Sequence, residues 1–400
     1  MDARPRGVNS GMRRIYMDAN ATTPLLPEVL EAMRPFWMEE FGNASSIHQQ
    51  GQSARAAVDR AREQVAGLLS CRAAEVVFTS GGTESDNTAL FGVLGPGDHL
   101  ITTSIEHHAV LHAAEELAER GIEVTFLPCT PDGVVEVAAL REALRPNTRL
   151  VSVMLANNET GAIQPVSELA AVAHAARALL HTDAVQAAGK LEIDVAKLGC
   201  DLLSVSGHKM YAPQGTGALY VRRSVCLRPM FFGGLHERGR RPGTENVAGI
   251  VGLGKAAESA RNWLVGGGPA DLAALRDRLE QGILGAVDEA GINGAGAARV
   301  ANTSNLYFDH VEAEALVIAL DLKGLAVSGG SACQSGATEP SHVLTAMGLS
   351  EARARASVRF SLSRLTTEDE VERAIAMVPA AVGRLRELSP SWAKTAATVA

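Results

Sequence analysis

Lys209 stands in Ser206-Gly-His-Lys209, directly after a run of apolar residues. A lysine beside Ser, Gly and His in apolar surroundings gives up its proton more readily than a solvated one, and a neutral amine is what Schiff-base chemistry needs. The chain has only six lysines, and the other five read as less suited. Lys255 lies in a helical pattern, Lys394 in the tail, and Lys323 just before a glycine, as lysines at helix C-termini often do. Lys190 and Lys197 flank a short amphipathic stretch and read as solvated. Four other loops carry groups that could work with an amine. Ser80-Gly-Gly-Thr-Glu-Ser85 offers a glycine pair for close backbone approach and Thr83 as a helix cap, which together suit a phosphate. Ile105-Glu-His-His-Ala109 offers two rings that point apart, poor joint metal ligands, though one suits acid–base work or stacking. The side-chain amides of Ala156-Asn-Asn-Glu-Thr-Gly161 bind a carboxylate or simply form a turn. Asp183, in Asp183-Ala-Val-Gln186, is either an acid near a cofactor or a helix cap. An amine, an acid, a ring and a phosphate cradle are the set that pyridoxal phosphate requires. Its aldehyde takes a lysine, its ring nitrogen an acid and its phosphate a helix N-terminus.

Two features lie further along. Cys333 sits in Val327-Ser-Gly-Gly-Ser-Ala-Cys-Gln-Ser-Gly-Ala-Thr-Glu-Pro-Ser-His342, a loop of small residues that can move and leave a thiol exposed. The other cysteines, Cys71, Cys129, Cys200 and Cys226, adjoin apolar segments and read as inert packing residues. Arg359, in Val358-Arg-Phe-Ser-Leu362, is a lone arginine on a predicted strand, placed to clamp a carboxylate or to form a surface ion pair.

The elements that must position these groups alternate. Strands are predicted over 75–79, 99–103, 123–127, 150–155, 179–182, 202–206 and 217–221. Helices are predicted to follow over 82–90, 109–120 and 166–179. The fold class is therefore α/β, with a mostly parallel sheet covered on both faces and ligands at the carboxyl ends of its strands. From residue 271 helical Leu/Ala/Arg segments dominate, with strands near 300–308 and 356–361. The stretch Gly266-Gly-Gly-Pro269 reads as a linker. The expected organisation is a tail over 1–14, a large cofactor-binding domain over 15–265 and a small α+β domain over 266–400 that carries the cysteine loop.

Composition narrows the functional classes. With 37 Lys and Arg against 45 Asp and Glu, the chain lacks the excess basic charge of a general nucleic-acid binder. The local cluster His236-Glu-Arg-Gly-Arg-Arg241 suits a phosphate or a subunit contact instead. Five widely spaced cysteines without a CxxC pair argue against a disulfide framework and for a reducing compartment. No apolar run is long enough for a membrane helix, and the first residues lack the apolar stretch of a signal peptide. The expected localisation is cytoplasmic.

Taken in order, several stretches carry a family likeness. They are Met17-Asp-Ala-Asn-Ala-Thr-Thr-Pro24, Phe41-Gly-Asn-Ala-Ser-Ser-Ile-His48, Phe78-Thr-Ser-Gly-Gly-Thr-Glu84, His181-Thr-Asp-Ala-Val-Gln186, Ser206-Gly-His-Lys209, Arg240-Arg-Pro-Gly-Thr-Glu-Asn246 and Ser331-Ala-Cys333. From about residue 16 to residue 388 the sequence resembles the cysteine desulfurases of the nitrogen-fixation and housekeeping iron–sulfur type, within the class V aminotransferase family. The resemblance implies a fold-type I pyridoxal-phosphate-dependent homodimer whose small domain recruits the segment around Ile15. It implies that Lys209 forms the Schiff base with the cofactor, that His107 stacks on its ring and moves protons, and that Asp183 keeps the ring nitrogen protonated. Gln186 would bond the ring hydroxyl, and Gly82, Thr83, Ser206 and His208 would hold the phosphate. Thr244 would reach the phosphate of the partner subunit. Asn158 and Arg359 would bind the carboxylate of L-cysteine. Cys333 would accept its sulfur as a persulfide and serve as a transient iron–sulfur ligand, with alanine as the other product. An iron–sulfur scaffold or a sulfur-carrier protein would then take the sulfur. A selenocysteine lyase and another class V aminotransferase-type enzyme are the neighbouring activities, and the latter has no need of Cys333. Ala19, Gln214 and Gln334 depart from the family pattern without removing a reacting group.

Overall fold

The computed structural model describes residues 14–329, 340–389 and 392. Its strands are β1 (Ile15–Tyr16), β2 (Val76–Thr79), β3 (His99–Thr103), β4 (Glu123–Leu127), β5 (Thr148–Ser152), β6 (Leu179–Asp183) and β7 (Leu202–Ser206). They continue with β8 (Gly217–Val221), β9 (Ala290–Ile292), β10 (Thr303–Phe308), β11 (Leu325–Ala326), β12 (Ser328–Gly329) and β13 (Ser357–Ser361). The large sheet has the order β2-β8-β7-β6-β5-β3-β4. Every residue of β3, β7 and β8 is buried, as expected where helices cover both faces. Strand alternation then divides the apolar residues between the two sides. Ile101, Val151 and Leu203 pack into one core, and their neighbours Leu100, Leu150 and Leu202 into another.

The pairs β3–β4, β3–β5, β5–β6 and β6–β7 are parallel, so the sheet is mostly parallel as expected. Strand β8 is antiparallel to both β2 and β7. Those two therefore run the same way, and the carboxyl ends of β2, β3, β5, β6 and β7 share one edge. The direction of β8 could not be read from Gly217-Ala-Leu-Tyr-Val221, because an apolar run buried on both faces carries no directional mark.

A second sheet, β12-β13-β10-β9, lies over its own core, which includes Leu306, Phe308, Val358, Phe360 and Val378. Ile15 and Met17 belong to this core although they precede the large sheet in sequence. β1 reaches it by pairing with β11, Ile15 beside Leu325 and Tyr16 beside Ala326.

Some boundaries differ from the sequence reading. The helix expected over 166–179 ends at Ala175, because Arg177 takes a φ of +62° and the chain turns into β6. The glycine linker is shorter than expected. Only Gly266 and Gly267 separate helix Val247–Val265 from helix Gly268–Leu284, whose first turn contains Pro269. Proline fits there because its missing N–H is not needed in a first helical turn.

Phe360 has no exposed surface and sits at the centre of the second core. Phe360→Ala is expected to lower stability by about 3–5 kcal/mol in chemical denaturation at fixed protein concentration. A loss below about 1 kcal/mol would contradict this packing.

Candidate active site

Helix Gly82–Val93 begins directly after β2 and its loop. Gly81, rather than the expected Thr83, is its N-cap, and no side chain caps the first turn. Its φ of +154° favours glycine. A Cβ on Gly82 would lie 2.8 Å from Val185 Cγ2 and 3.7 Å from Ser206 Cβ. The two glycines thus bring the uncapped amides of this helix against the ends of β6 and β7, a geometry suited to an anion.

His107 caps helix His108–Glu119, its Nδ1 accepting from the Ala109 N–H at 3.1 Å. In the neutral ring the proton therefore sits on Nε2. Burial, then the positive charge of Lys209 and the neighbouring His108, His342 and His112, lower its pKa to about 4. His107 and His108 meet edge to face with centroids 6.1 Å apart, so they do point in different directions.

Asp183 ends β6 and is buried. Its Oδ1 accepts from the Val185 N–H at 2.8 Å, so it orders the turn after the strand and caps no helix. Burial raises its pKa to about 6, against the lowering effects of that hydrogen bond and of Lys209. A buried carboxylate held above its ordinary range is incompletely compensated and favours a cationic partner. Two further acids stand behind it. Asp86 is pushed well above the usual carboxylate range by burial and by the charge of Asp183. Glu106 is raised to about 8, again chiefly by burial. The Oε1 of Glu106 accepts from Thr103 Oγ1 at 2.9 Å and from the Met154 N–H at 2.8 Å, while its Oε2 has no partner among the described residues.

Lys209 closes the turn Gly207–Lys209 after β7. Its Nζ donates to the main-chain oxygens of Asn20 and Ala21, the latter at 2.7 Å. Segment 18–23 lies across this turn: Thr23 N–H donates to the His208 carbonyl at 2.9 Å, and His208 Nδ1 meets Thr22 Oγ1 at 3.1 Å. Gln186 donates from Nε2 to the Asn20 carbonyl at 3.0 Å.

Arg359, on β13, is 1% exposed. Its guanidinium donates to Asp18 Oδ1 at 2.8 Å and to the Asn158 carbonyl at 3.0 Å, and its Nε has no partner among the described residues. It therefore forms a buried ion pair and still keeps a spare donor. In the 156–161 loop it is Asn157 that builds the turn, its Oδ1 accepting from the N–H groups of Glu159 and Thr160. Asn158 stands beside it with its carbonyl on Arg359.

The structure thus places Gly82, Thr83, His107, Asn158, Asp183, Gln186, Ser206, His208 and Lys209 at ends of strands on one sheet edge, and Arg359 is tied to Asn158 from the second sheet. Thr244 is exposed and lines a cavity with Thr79, Ser80, Thr216 and Arg241. Cys333 lies outside the described residues. Two sequence expectations are corrected. Lys190 is buried, its Nζ donating to Gln186 Oε1 at 2.7 Å and Asn20 Oδ1 at 3.1 Å. Cys226 is exposed, whereas Cys200 is buried and its thiol is pushed up to about 12 by desolvation. The sequence reading also missed Asn20, Lys190, Asp86 and Glu106. Asn20 lies inside the quoted Met17–Pro24 motif, which was the available signal; nothing local marks the other three as buried.

An amine, a buried acid seeking a cation, an uncapped helix N-terminus and a spare arginine donor fit pyridoxal phosphate and an amino-acid carboxylate. Fold and site together define a fold-type I pyridoxal-phosphate-dependent enzyme. The chain belongs to the aminotransferase class-V family, which matches residues 15–374. It is 47% identical over 387 residues to a protein named cysteine desulfurase IscS from Methanosarcina thermophila, covering 96% of this chain and 95% of that one. A solved structure described as a NifS-like protein superposes with a TM-score of 0.87 at 36% identity, covering 93% of this chain and all of the other. Another, described as SspA in complex with cysteine, does so with a TM-score of 0.79 at 37% identity, covering 88% and 100%. Among the described residues no helix is long and apolar enough to cross a membrane.

The pH dependence of stability tests the buried acids. The folded chain holds the Glu106 proton up to about pH 8, whereas an unfolded glutamate releases it near 4.5. The favourable contribution is complete below pH 4.5 and is lost as pH rises through 8. Glu106→Gln removes this titration. Relative to the variant, the wild type is expected to lose on the order of a few kcal/mol across that window in denaturation series. Parallel curves would refute the assignment.

Proposed function

We propose that this chain is a pyridoxal-phosphate-dependent cysteine desulfurase that converts L-cysteine to L-alanine and leaves the sulfur as a persulfide on Cys333. The observation that carries this reading is the meeting of Lys209, Asp183 and Arg359 around one sheet edge, in a chain 47% identical to a named cysteine desulfurase. The solved relative described as a complex with cysteine supports the substrate class.

Bound at this edge, pyridoxal phosphate supplies an aldehyde for amine capture and an electron sink for the carbon that loses its proton. Gly82 and Thr83 at the helix N-terminus, with Ser206 and His208, hold its phosphate. Asp183 faces the ring nitrogen, which provides the positive charge its buried carboxylate lacks. His107 stacks on the ring. Gln186 bonds the ring hydroxyl through the Nε2 hydrogen that Asn20 does not use. Thr244, exposed beside Arg241, reaches the phosphate of a partner subunit in a homodimer. The exposed apolar side chains Phe41, Ile47, Phe232 and Leu235 supply the matching interface.

Arg359 and Asn158 hold the substrate carboxylate. Lys209, released by the incoming amine, takes the proton from the substrate α-carbon. The Cys333 thiolate then attacks the substrate sulfur: an S–S bond forms, the C–S bond breaks, and its electron pair and a proton complete alanine. No outside oxidant is needed. The persulfide passes to an iron–sulfur scaffold or a sulfur-carrier protein, and Cys333 acts as a transient iron–sulfur ligand in that transfer. We place the enzyme in the cytoplasm and divide it into a large domain over 15–265 and a small one over 266–400.

Lys209→Ala is expected to lower alanine formation at least about 100-fold and to prevent borohydride from fixing the cofactor to the chain. Cys333→Ala is expected to keep the bound cofactor and its response to L-cysteine but to lose persulfide, measured by mass spectrometry. Sulfide release at the full rate in Cys333→Ala would remove that cysteine from the mechanism, and normal turnover in Lys209→Ala would overturn the whole reading.

A further inference from the structure

Lys190 is 8% exposed, and no carboxylate lies within ion-pair distance of it among the described residues. Its two acceptors are neutral amide oxygens: Gln186 Oε1 at 2.7 Å and Asn20 Oδ1 at 3.1 Å. A buried amine without a counter-ion is costly, and a core position with no other role accommodates an apolar side chain at lower cost. The atoms that Lys190 touches explain its presence. Asn20 presents its side-chain oxygen to Lys190 and its main-chain oxygen to Lys209, and Gln186 bonds Lys190 and Asn20 together. Two amines therefore stand on opposite sides of one asparagine.

We propose that Lys190 is the second amine of the site, a positioning residue that fixes Asn20 and Gln186 around Lys209 and sets a competing positive charge beside it. The inference rests on the assignment of Lys209 as the cofactor lysine. Each amine opposes a positive charge on the other, so Lys209 gives up its proton more readily than it would alone. Burial, then Lys209, then Arg359 hold Lys190 itself well below the ordinary lysine range. The charged groups facing Lys190 are thus Lys209 from the turn after β7 and Arg359 from β13. Asp183, His107 and His208 face Lys209 from the other strand ends. The acid draws positive charge to Lys209, and Lys190 and Arg359 oppose it.

The test is the pH dependence of Lys209 acetylation by N-hydroxysuccinimidyl acetate in the full-length chain freed of cofactor, read by peptide mass spectrometry. In Lys190→Met the midpoint is expected to rise by about one pH unit, a tenfold slower reaction at fixed pH below it. Lys190→Gln keeps N–H donors for the two amide oxygens but carries no charge, and it is expected to show the same rise. Lys190→Arg restores the charge and is expected to return the midpoint toward that of the wild type. Unchanged midpoints in folded Lys190→Met and Lys190→Gln would overturn the inference, even if both variants melt at lower temperature. Borohydride fixation of the cofactor in the wild-type holoenzyme tests the underlying assignment separately: fixation at any lysine other than Lys209 refutes that assignment, whereas fixation at Lys209 with unmoved midpoints refutes only the role of Lys190.

Discussion

The structure depends on one buried asparagine. Asn20 is 2% exposed, and all of its side-chain hydrogen-bonding capacity is used. Its amide nitrogen donates to the Asn158 carbonyl and to Thr303 Oγ1, and its side-chain oxygen accepts from Lys190 and Asn302. Its main-chain N–H donates to Ser361 Oγ, and its carbonyl accepts from Gln186 and Lys209. Asn158, Gln186, Lys190 and Lys209 stand at or beyond strand ends of the large sheet, whereas Asn302, Thr303 and Ser361 stand at or beside β10 and β13. A buried polar group left without partners costs about 1–3 kcal/mol, so these elements are held to one mutual arrangement. The amine that does the chemistry is set by the same joint that holds the two sheets together.

The electrostatics of the edge follow from burial. Desolvation raises the acids Asp86, Glu106 and Asp183 and lowers the bases His107 and Lys190. Each group is moved toward its neutral form. A site of this kind holds little charge of its own and responds strongly to charge brought into it. Protonated ring nitrogen, phosphate and carboxylate each find an opposite or a dipole already in place: Asp183, the first turn of helix Gly82–Val93, and Arg359. This is preorganisation in the sense that matters for catalysis, because the groups need not reorient when charge develops.

The sequence was most legible where chemistry follows directly from topology. Parallel strands end on a common edge, so Lys209, Asp183 and His107 could be assigned to one site from their positions after apolar runs. Legibility failed where a residue's surroundings come from distant chain. Lys190 looks solvated in Ala188-Gly-Lys190-Leu191, yet Asn20, 170 positions earlier, covers it. Arg359 was read as a carboxylate clamp or a surface ion pair, and it is a buried ion pair with a spare donor, because Asp18 arrives from the N-terminus. Thr83 has the chemistry of a helix cap, but the tight approach of Gly82 to Val185 moves the helix start one turn of chain earlier, to Gly81. Three of these four cases trace to segment 18–20 or to the helix start that packs beside it across the β6 and β7 ends, and no local pattern reports such contacts.

The placement of the cysteine loop follows from its two flanks. Before it, β12 pairs with β13, Ser328 opposite Arg359, so the chain leaves the described region beside the arginine assigned to the substrate carboxylate. After it, Ser341 donates to the buried Glu159 at 2.6 Å, and His342 Nε2 meets the Glu106 carbonyl at 2.9 Å. Glu159 follows Asn158 and Glu106 precedes His107, so the chain re-enters beside the substrate amide and the stacking ring. Both flanks are therefore anchored to residues of the site itself rather than to its periphery. A thiol carried between such anchors starts and ends its excursion at the substrate, and this ties Cys333 to the site more firmly than its small-residue surroundings alone.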